Sequence, residues 1–136
     1  MKTKTKIIML SITIIIILLG ILYYCYFYTM LLLPKGELFY SSASPNGTYV
    51  FNAYIGGGGA TAGNTVRGEI VNNKTKEKRN IYWDYYLNTV KVKWINDESI
   101  IINNKEIKNI HTDYYDFRED ENYSQEYNYY HYFNVE

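Results

Sequence analysis

An uncharged stretch close to the N-terminus, residues 7–33, reads IIMLSITIIIILLGILYYCYFYTMLLL. As an α-helix this stretch is roughly 40 Å long, whereas the hydrocarbon core of a bilayer is about 30 Å thick. Lys2, Lys4 and Lys6 stand immediately before it, and Pro34 follows it as a residue that ends helices. The pattern predicts a transmembrane helix over residues 7–33.

The charges on either side of this stretch predict its orientation. Three lysines precede it, while Lys35 after it is offset by Glu37, so the N-terminus is expected in the cytoplasm and the rest of the chain outside. One alternative is a cleaved signal peptide, but its apolar region would be shorter than this one. A second is a lipoprotein signal that uses Cys25, although Tyr24 stands where such a signal has a small residue. The expected form is therefore an uncleaved anchor in the cell membrane.

Length, charge and cysteine content exclude several classes of protein. The chain has 136 residues, with 14 basic against 14 acidic side chains and one cysteine. This length suits one domain of ordinary size. A net charge of zero argues against a general nucleic-acid binder, because phosphate contacts need a clustered surplus of Lys and Arg. One cysteine excludes an intrachain disulfide and any site built from several cysteines.

After the uncharged stretch the sequence alternates in the manner of β-strands. Residues 90–94, VKVKW, alternate apolar and basic side chains, which predicts a strand with Trp94 on its buried face. In residues 65–71 the same rule places Arg67 and Glu69 opposite the core. Strands are predicted at 48–55, 65–71, 80–85, 90–94, 99–102 and 105–110. The predicted fold class is mainly β: one transmembrane helix followed by a small antiparallel β-sheet domain, a meander or sandwich of about six strands.

Composition divides the chain into five segments. The turn Ser-Pro-Asn-Gly at residues 44–47 launches the first predicted strand, so the polar residues before it are interpreted as a linker. The last 26 residues hold seven acidic side chains against Arg118, with few aliphatic ones, which indicates loose packing or disorder. The predicted organisation is a basic cytoplasmic N-terminus at 1–6, the transmembrane helix at 7–33, a linker at 34–44, an extracytoplasmic β-domain at 45–110 and an acidic, tyrosine-rich tail at 111–136.

Few residues offer catalytic or metal-binding chemistry. A hydrolytic site needs a nucleophile beside a base, or two carboxylates across a cleft. Both histidines, His111 and His131, lie in the acidic tail. His111 with Asp113 and Asp116 has the side-chain types of a metal site, but a solvated histidine is the expected state. We therefore expect no catalytic residue, no metal site and no cofactor.

The candidate interaction surface is aromatic and glycine-rich. Residues 81–86, IYWDYY, place aromatic side chains on both faces of a predicted strand, so at least one face should be partly exposed. Residues 56–63, GGGGATAG, lack the Lys-Ser or Lys-Thr pair of a phosphate-binding loop and are interpreted as a hairpin loop, where contacts are common. The predicted surface consists of Tyr82, Tyr85, Tyr86, Gly56, Gly57, Gly58 and Gly59.

An ordered set of short motifs carries a family resemblance. They are SPNGTY at 44–49, GGAT at 58–61, VRGEIV at 66–71, NIYWDY at 80–85, VKW at 92–94 and IIIN at 100–103. The chain resembles an uncharacterised family of small membrane-anchored proteins of Gram-positive bacteria, catalogued as a domain of unknown function. The resemblance implies a similar single-span, exported architecture and brings no catalytic residue or ligand.

These observations predict a non-enzymatic, single-pass membrane protein whose extracytoplasmic β-domain has a binding or structural role at the cell surface. Its expected partners are the membrane lipid bilayer and a cell-surface protein or envelope polymer, and not nucleic acid. One alternative is a subunit of a membrane complex, held by its helix through Ser11, Thr13 and Gly20. Another is a cell-envelope enzyme, for which Glu69 and Asp84 are the carboxylates on predicted strands near aromatic residues.

Overall fold

The computed structural model describes residues 3–57, 63–85, 87 and 89–123. It divides into two compact units, Met1–Leu33 and Pro34–Glu136. The first unit contains the helix, and the second contains the strands.

The N-terminal unit is built around one helix, α1 (Thr3–Tyr28). None of its residues is buried in protein, although most of them are apolar. The helix ends before the predicted boundary at residue 33. The hydroxyl of Thr29 donates to the Cys25 carbonyl oxygen at 2.6 Å and accepts from the Leu31 amide at 3.2 Å, so Thr29 satisfies the helix end ahead of Pro34.

The C-terminal unit contains two sheets. The first has the order β1-β2-β3-β4-β8, in which only the β4–β8 pair is parallel. The second has the order β5-β6-β7 and is antiparallel. The strand bounds are β1 (Glu37–Ala43), β2 (Tyr49–Gly57), β3 (Asn64–Asn72), β4 (Lys78–Tyr85), β5 (Val92–Trp94), β6 (Ile100–Ile102), β7 (Lys105–Ile107) and β8 (Tyr115–Asp116).

The predicted fold class is confirmed: one N-terminal apolar helix precedes a mainly β domain whose strand pairs are mostly antiparallel. Each of the six predicted strands is present, as β2 to β7. The described residues contain eight strands because two segments outside the predicted domain also join the first sheet.

The first of these two segments is 34–44, and its prediction as a linker is corrected by the structure. Its residues Glu37–Ala43 form β1, which pairs antiparallel with β2 and has one register shift, between Leu38 and Tyr40. The turn after it is as predicted: the Gly47 amide donates to the Ser44 carbonyl oxygen at 2.9 Å, and Gly47 has φ +75°. The first hairpin of the domain therefore begins at Glu37, ahead of the predicted boundary at residue 45. Backbone pairing with β2 outweighs the polar composition of 34–44.

The second segment lies within 111–136, and its prediction as a loose tail is corrected for the residues that the structure describes. Tyr115 and Asp116 pair with β4 as β8, and a 3-10 helix, Phe117–Glu119, follows. Arg79 holds the preceding loop, because its guanidinium donates to the carbonyl oxygens of Ile110, Thr112 and Asp113 at 2.7 to 2.8 Å. Residues 111–123 therefore belong to the folded domain, and residues 124–136 lie outside the described part of the chain.

The core lies between one face of the first sheet and the second sheet. One buried cluster contains Phe51 and Ala53 of β2, Val66 and Ile70 of β3, Ile100 and Ile102 of β6, and Ile107 of β7. Trp94, predicted to face the core, packs against this cluster and donates from its indole nitrogen to the Ser42 hydroxyl at 3.2 Å.

Candidate functional site

Tyr82, the first residue of the predicted aromatic surface, lies in the core. Its side chain is 0 % exposed, its ring stacks on Tyr115 at 5.5 Å, and its hydroxyl donates to Asp84 Oδ2 at 2.6 Å. Asn103 Nδ2 donates to the same hydroxyl at 3.2 Å. The prediction that Tyr82 contributes to a surface is therefore wrong, because Tyr82 pairs with Gly68 on the core face of the sheet.

This environment also changes the ionisation of the phenol. Burial, followed by the negative charge of Asp84 and its hydrogen bond, raises the pKa of Tyr82 far above its usual value. The phenol is neutral throughout the physiological range, so it acts as a hydrogen-bond donor inside the domain.

Tyr85 lies on the opposite face and is half-buried under an aromatic cluster. Its ring stacks on Phe117 at 5.8 Å, and Phe117 contacts Tyr123 at 5.0 Å. The Tyr123 hydroxyl donates to the Tyr85 carbonyl oxygen at 2.8 Å. The segment after residue 110 therefore covers the position where an open patch was predicted. Tyr86 lies outside the described residues.

The predicted glycine-rich loop is described at its two ends. Gly56 and Gly57 close β2, with Gly57 exposed and at φ +75°. The Thr65 hydroxyl donates to the Gly56 carbonyl oxygen at 2.9 Å. Gly58 and Gly59 lie outside the described residues. The structure thus brings Gly56 and Gly57 to one end of β2 but does not join them with Tyr82.

A polar cluster that the sequence did not reveal lies on the outer face of the first sheet. Arg67 and Glu69, predicted to face away from the core, do so, yet each is only 8 % exposed. Arg67 Nη1 donates to Glu69 Oε2 at 3.1 Å and to Asn80 Oδ1 at 2.7 Å. The guanidinium carbon lies 4.1 Å from the centre of the Tyr54 ring.

The same guanidinium holds the chain where it enters the domain. Arg67 Nη2 donates to the Lys35 carbonyl oxygen at 3.1 Å. Gly36, next to it, has φ +65°, and a Cβ there would lie 2.6 Å from the Ile55 carbonyl oxygen. Arg67 is therefore committed to protein acceptors, so its charge stabilises the domain and does not present an open anion site.

Tyr54 completes this cluster. Its hydroxyl donates to Glu69 Oε1 at 3.2 Å. Burial, followed by the charge of Glu69 and its hydrogen bond, raises the pKa of the Tyr54 phenol, so this side chain stays neutral as well. No sequence signal pointed to the cluster, since its members come from β2, β3 and β4 and meet only through sheet register.

His111, Asp113 and Asp116, which have the side-chain types of metal ligands, each contact a different protein group. His111 Nε2 lies 3.4 Å from the Tyr49 hydroxyl, whereas Asp113 accepts from the Asn109 amide at 3.0 Å and Asp116 pairs with Arg118. Within residues 3–57, 63–85, 87 and 89–123, no group of three His, Cys, Asp or Glu side chains is placed to hold a metal ion.

Among the described residues of the β-domain, three consecutive exposed apolar side chains lie on the edge strand β1. Leu38 is 57 % exposed, Phe39 38 % and Tyr40 36 %. These residues are consecutive, and β1 has a neighbouring strand on one side only among the described residues. This surface was not predicted, because residues 34–44 were interpreted as a linker.

Comparison with known proteins places the chain in a family without assigning it an activity. The model of a family of unknown function, DUF5412, matches residues 2–120, which include α1, both sheets and the 3-10 helix. No curated protein and no solved structure matches the chain. The expected membership of an uncharacterised family is confirmed, while the link to Gram-positive bacteria stays a prediction. The chain therefore belongs to the family of unknown function DUF5412.

Proposed function

We propose that this chain is a single-pass membrane protein whose β-domain lies on the outer side of the cell membrane and has a binding or structural role there. The observation that carries this proposal is helix α1. It is long and apolar enough to cross a bilayer, and none of its residues is buried in protein. An apolar helix of this length without protein cover requires lipid around it.

Two features support the orientation. Lys2, Lys4 and Lys6 precede the uncharged stretch, and the short connection after it has a single lysine offset by Glu37. An excess of positive charge marks the cytoplasmic side of a span. The second compact unit, which begins at Pro34, would then lie outside the cell.

A non-catalytic role is favoured by the placement of the two carboxylates on which the enzyme alternative depends. Glu69 lies on the outer face of the first sheet with Arg67, whereas Asp84 lies on the core face and accepts from Tyr82. Two carboxylates on opposite faces of one sheet cannot flank the same substrate bond.

The helix-mediated alternative gains no support from the polar residues of α1. The hydroxyls of Ser11 and Thr13 donate to the carbonyl oxygens of Ile7 and Met9, each at 3.0 Å. Both hydroxyls are therefore satisfied inside the helix and do not call for a neighbouring helix.

Topology labelling tests the proposal. In a Cys25→Ser background, Lys74→Cys places a thiol in the exposed turn between β3 and β4, and Thr5→Cys places one at the start of α1. We expect a membrane-impermeant maleimide to label the Lys74→Cys chain on intact cells and the Thr5→Cys chain only after the membrane is opened. The full-length chain should stay in the membrane fraction after a carbonate wash.

The other outcomes have distinct meanings. The reverse labelling pattern would place the β-domain in the cytoplasm and contradict the proposed orientation. A shortened chain in the medium would show that α1 is a cleaved signal sequence.

A further inference from the structure

One edge of β1, the side away from β2, has no neighbouring strand among the described residues. Of the edge strands in the described residues, β8 has two residues and β5 and β7 have three each, whereas β1 has seven. A long unpaired edge is a template for a further strand, because its outward amides and carbonyls have no sheet partner.

Hydrogen bonding in the first hairpin identifies which backbone groups point outward. The Ser44 amide donates to the Tyr49 carbonyl oxygen at 2.8 Å, so residue 44 bonds toward β2. In an antiparallel pair this direction alternates along the strand. Ser42 therefore bonds toward β2 as well, and the amides and carbonyls of Ser41 and Ala43 point to the free edge.

The side chains on this edge are apolar and weakly protected. Among the described residues between 34 and 123, five large hydrophobic side chains are exposed, and Leu38, Phe39 and Tyr40 are three of them. Residues 37–43, ELFYSSA, contain no lysine, arginine or proline, which are the usual protections of a natural edge strand. One protective feature is present, a register shift between Leu38 and Tyr40, and it leaves residues 40–43 in regular pairing.

We propose that the β1 edge pairs antiparallel with the β1 edge of a second copy of this chain, which joins two five-stranded sheets into one. The position of the charged residue in β1 favours antiparallel pairing with an identical strand. Glu37 is the only charged residue of β1 and lies at one end, so antiparallel pairing about the strand centre separates the two Glu37 side chains. Such a pair has twofold symmetry and is closed, because it uses the same edge of both copies.

The size of the contact indicates where the dimer forms. One seven-residue strand buries less than the roughly 800 Å² per partner of a standard stable interface. Association should therefore be weak in dilute solution and favoured where copies are concentrated, as two chains anchored in one membrane would be. This last step rests on the proposed function, whereas the pairing surface itself does not.

Cysteine scanning of the intact chain in membranes tests the pairing. Single cysteines replace each residue from Leu38 to Ala43 in a Cys25→Ser background, and disulfide formation is induced with copper phenanthroline. Symmetric antiparallel strands place only one residue directly opposite its own copy, and a disulfide requires Cα atoms within about 7 Å. We expect one position to give about tenfold more dimer than positions two residues away, since a two-residue offset exceeds disulfide reach. The exposed Lys74→Cys chain, away from β1, should give none.

A proline variant tests whether backbone pairing holds the dimer. Ala43→Pro removes an amide that points to the free edge and leaves the β1–β2 hydrogen bonds in place, and Ala43→Val is the matched control that keeps the amide. Ala43→Pro is combined with the cysteine that gives the most dimer, and Ser41→Pro takes its place where that cysteine is at residue 43. The proline should abolish the disulfide-linked dimer, whereas Ala43→Val should preserve it. The thermal midpoint of each variant shows whether the domain is still folded.

Several results would overturn the inference. They are no dimer at any scanned position, equal dimer at all positions including residue 74, crosslinks only to a different protein, or a crosslink that persists in a folded proline variant. Membrane fractionation of the same samples distinguishes a failure of the β1 pairing from a failure of the proposed membrane anchor. A chain that leaves the membrane fraction contradicts the anchor, and its crosslinking pattern still reports on the edge.

Discussion

Gly68 shows how one residue without a side chain sets the packing of the core. It lies on β3, where it pairs with Ala53 of β2 and Tyr82 of β4. A Cβ at this position would lie 2.6 Å from Phe51 Cε2 and 2.8 Å from Tyr82 Cβ. The ring of Phe51 therefore occupies the space that any other residue would fill.

Gly68→Ala is expected to destabilise the domain by about 1 to 3 kcal/mol, because the added methyl group overpacks a fully buried site. The measurement is urea unfolding of the chain in detergent, followed by tryptophan fluorescence. Phe51→Leu removes the ring atoms that the methyl group would meet, so Phe51→Leu/Gly68→Ala should cost less than the sum of the single changes. Additive costs would show that the contact with Phe51 is not the cause.

Tyr82 is the residue at which stability should depend on alkaline pH. Burial, then Asp84, raises its pKa in the folded state, whereas a tyrosine in the unfolded chain ionises near pH 10. Stability from this shift is fully present below about pH 10 and is lost as the pH rises further, because only the unfolded chain then releases the proton.

Tyr82→Phe should reverse part of that dependence. At neutral pH the variant loses the hydrogen bonds to Asp84 and from Asn103 and should be less stable by about 1 to 3 kcal/mol. As the pH rises above about 10, the difference from the wild type should narrow. The measurement is the free energy of unfolding at several pH values between neutral and alkaline. Parallel curves for the two chains would contradict the assignment.

At the scale of elements, two of the strands predicted correctly, β2 and β6, alternate between buried and more accessible residues. Phe51 and Ala53 of β2, and Ile100 and Ile102 of β6, alternate with more accessible residues. This period of two is a local property and can be recognised without knowing the partner strand.

The elements that were missed depend on long-range contacts. β1 is exposed at six of its seven residues, so it has no alternation from which a strand could be inferred. β8 has two residues and pairs in parallel with a strand thirty residues earlier. The burial of Arg67 and of Tyr82 is likewise set by segments distant in sequence, Lys35 for one and Tyr115 for the other.

The contacts of β8 predict how this late segment is held. Lys105 Nζ lies 3.1 Å from Asp120 Oδ2 and 4.7 Å from the centre of the Tyr115 ring. The Tyr115 hydroxyl also donates to Asp120 at 2.9 Å. One side chain of β7 therefore ties together β8 and the residues after the 3-10 helix.

Lys105→Met should loosen this segment without unfolding the domain. Since partly exposed ion pairs contribute up to about 1 kcal/mol, amide hydrogen exchange at residues 115–120 should accelerate about fivefold while β2 and β3 keep their protection. Lys108→Met, which changes an exposed lysine beyond β7, should leave exchange unchanged. Equal acceleration in both variants would indicate a general loss of charge as the cause.

At the scale of the whole molecule, the two units need different surroundings. The apolar residues of α1 are exposed, whereas every member of the hydrophobic core lies between Phe51 and Ile110. The β-domain also closes its own N-terminal end, through Arg67 and the Lys35 carbonyl oxygen. This arrangement suits a domain that folds by itself on one side of a membrane.

A chain that begins at Pro34 should therefore fold without α1 and unfold cooperatively with the midpoint of the full-length chain.

A chain that begins at Glu37 lacks the Lys35 carbonyl oxygen, so Arg67 loses an acceptor inside a nearly buried cluster. We expect this shorter chain to be less stable by about 1.5 to 3 kcal/mol, as for hydrogen bonds to charged groups. In an Arg67→Met background the two chains should differ much less, since the donor is absent from both. Urea unfolding of the four chains completes the cycle. An equal loss in both backgrounds would show that residues 34–36 stabilise the domain in another way, and a Pro34 chain that fails to fold would show that the domain depends on α1.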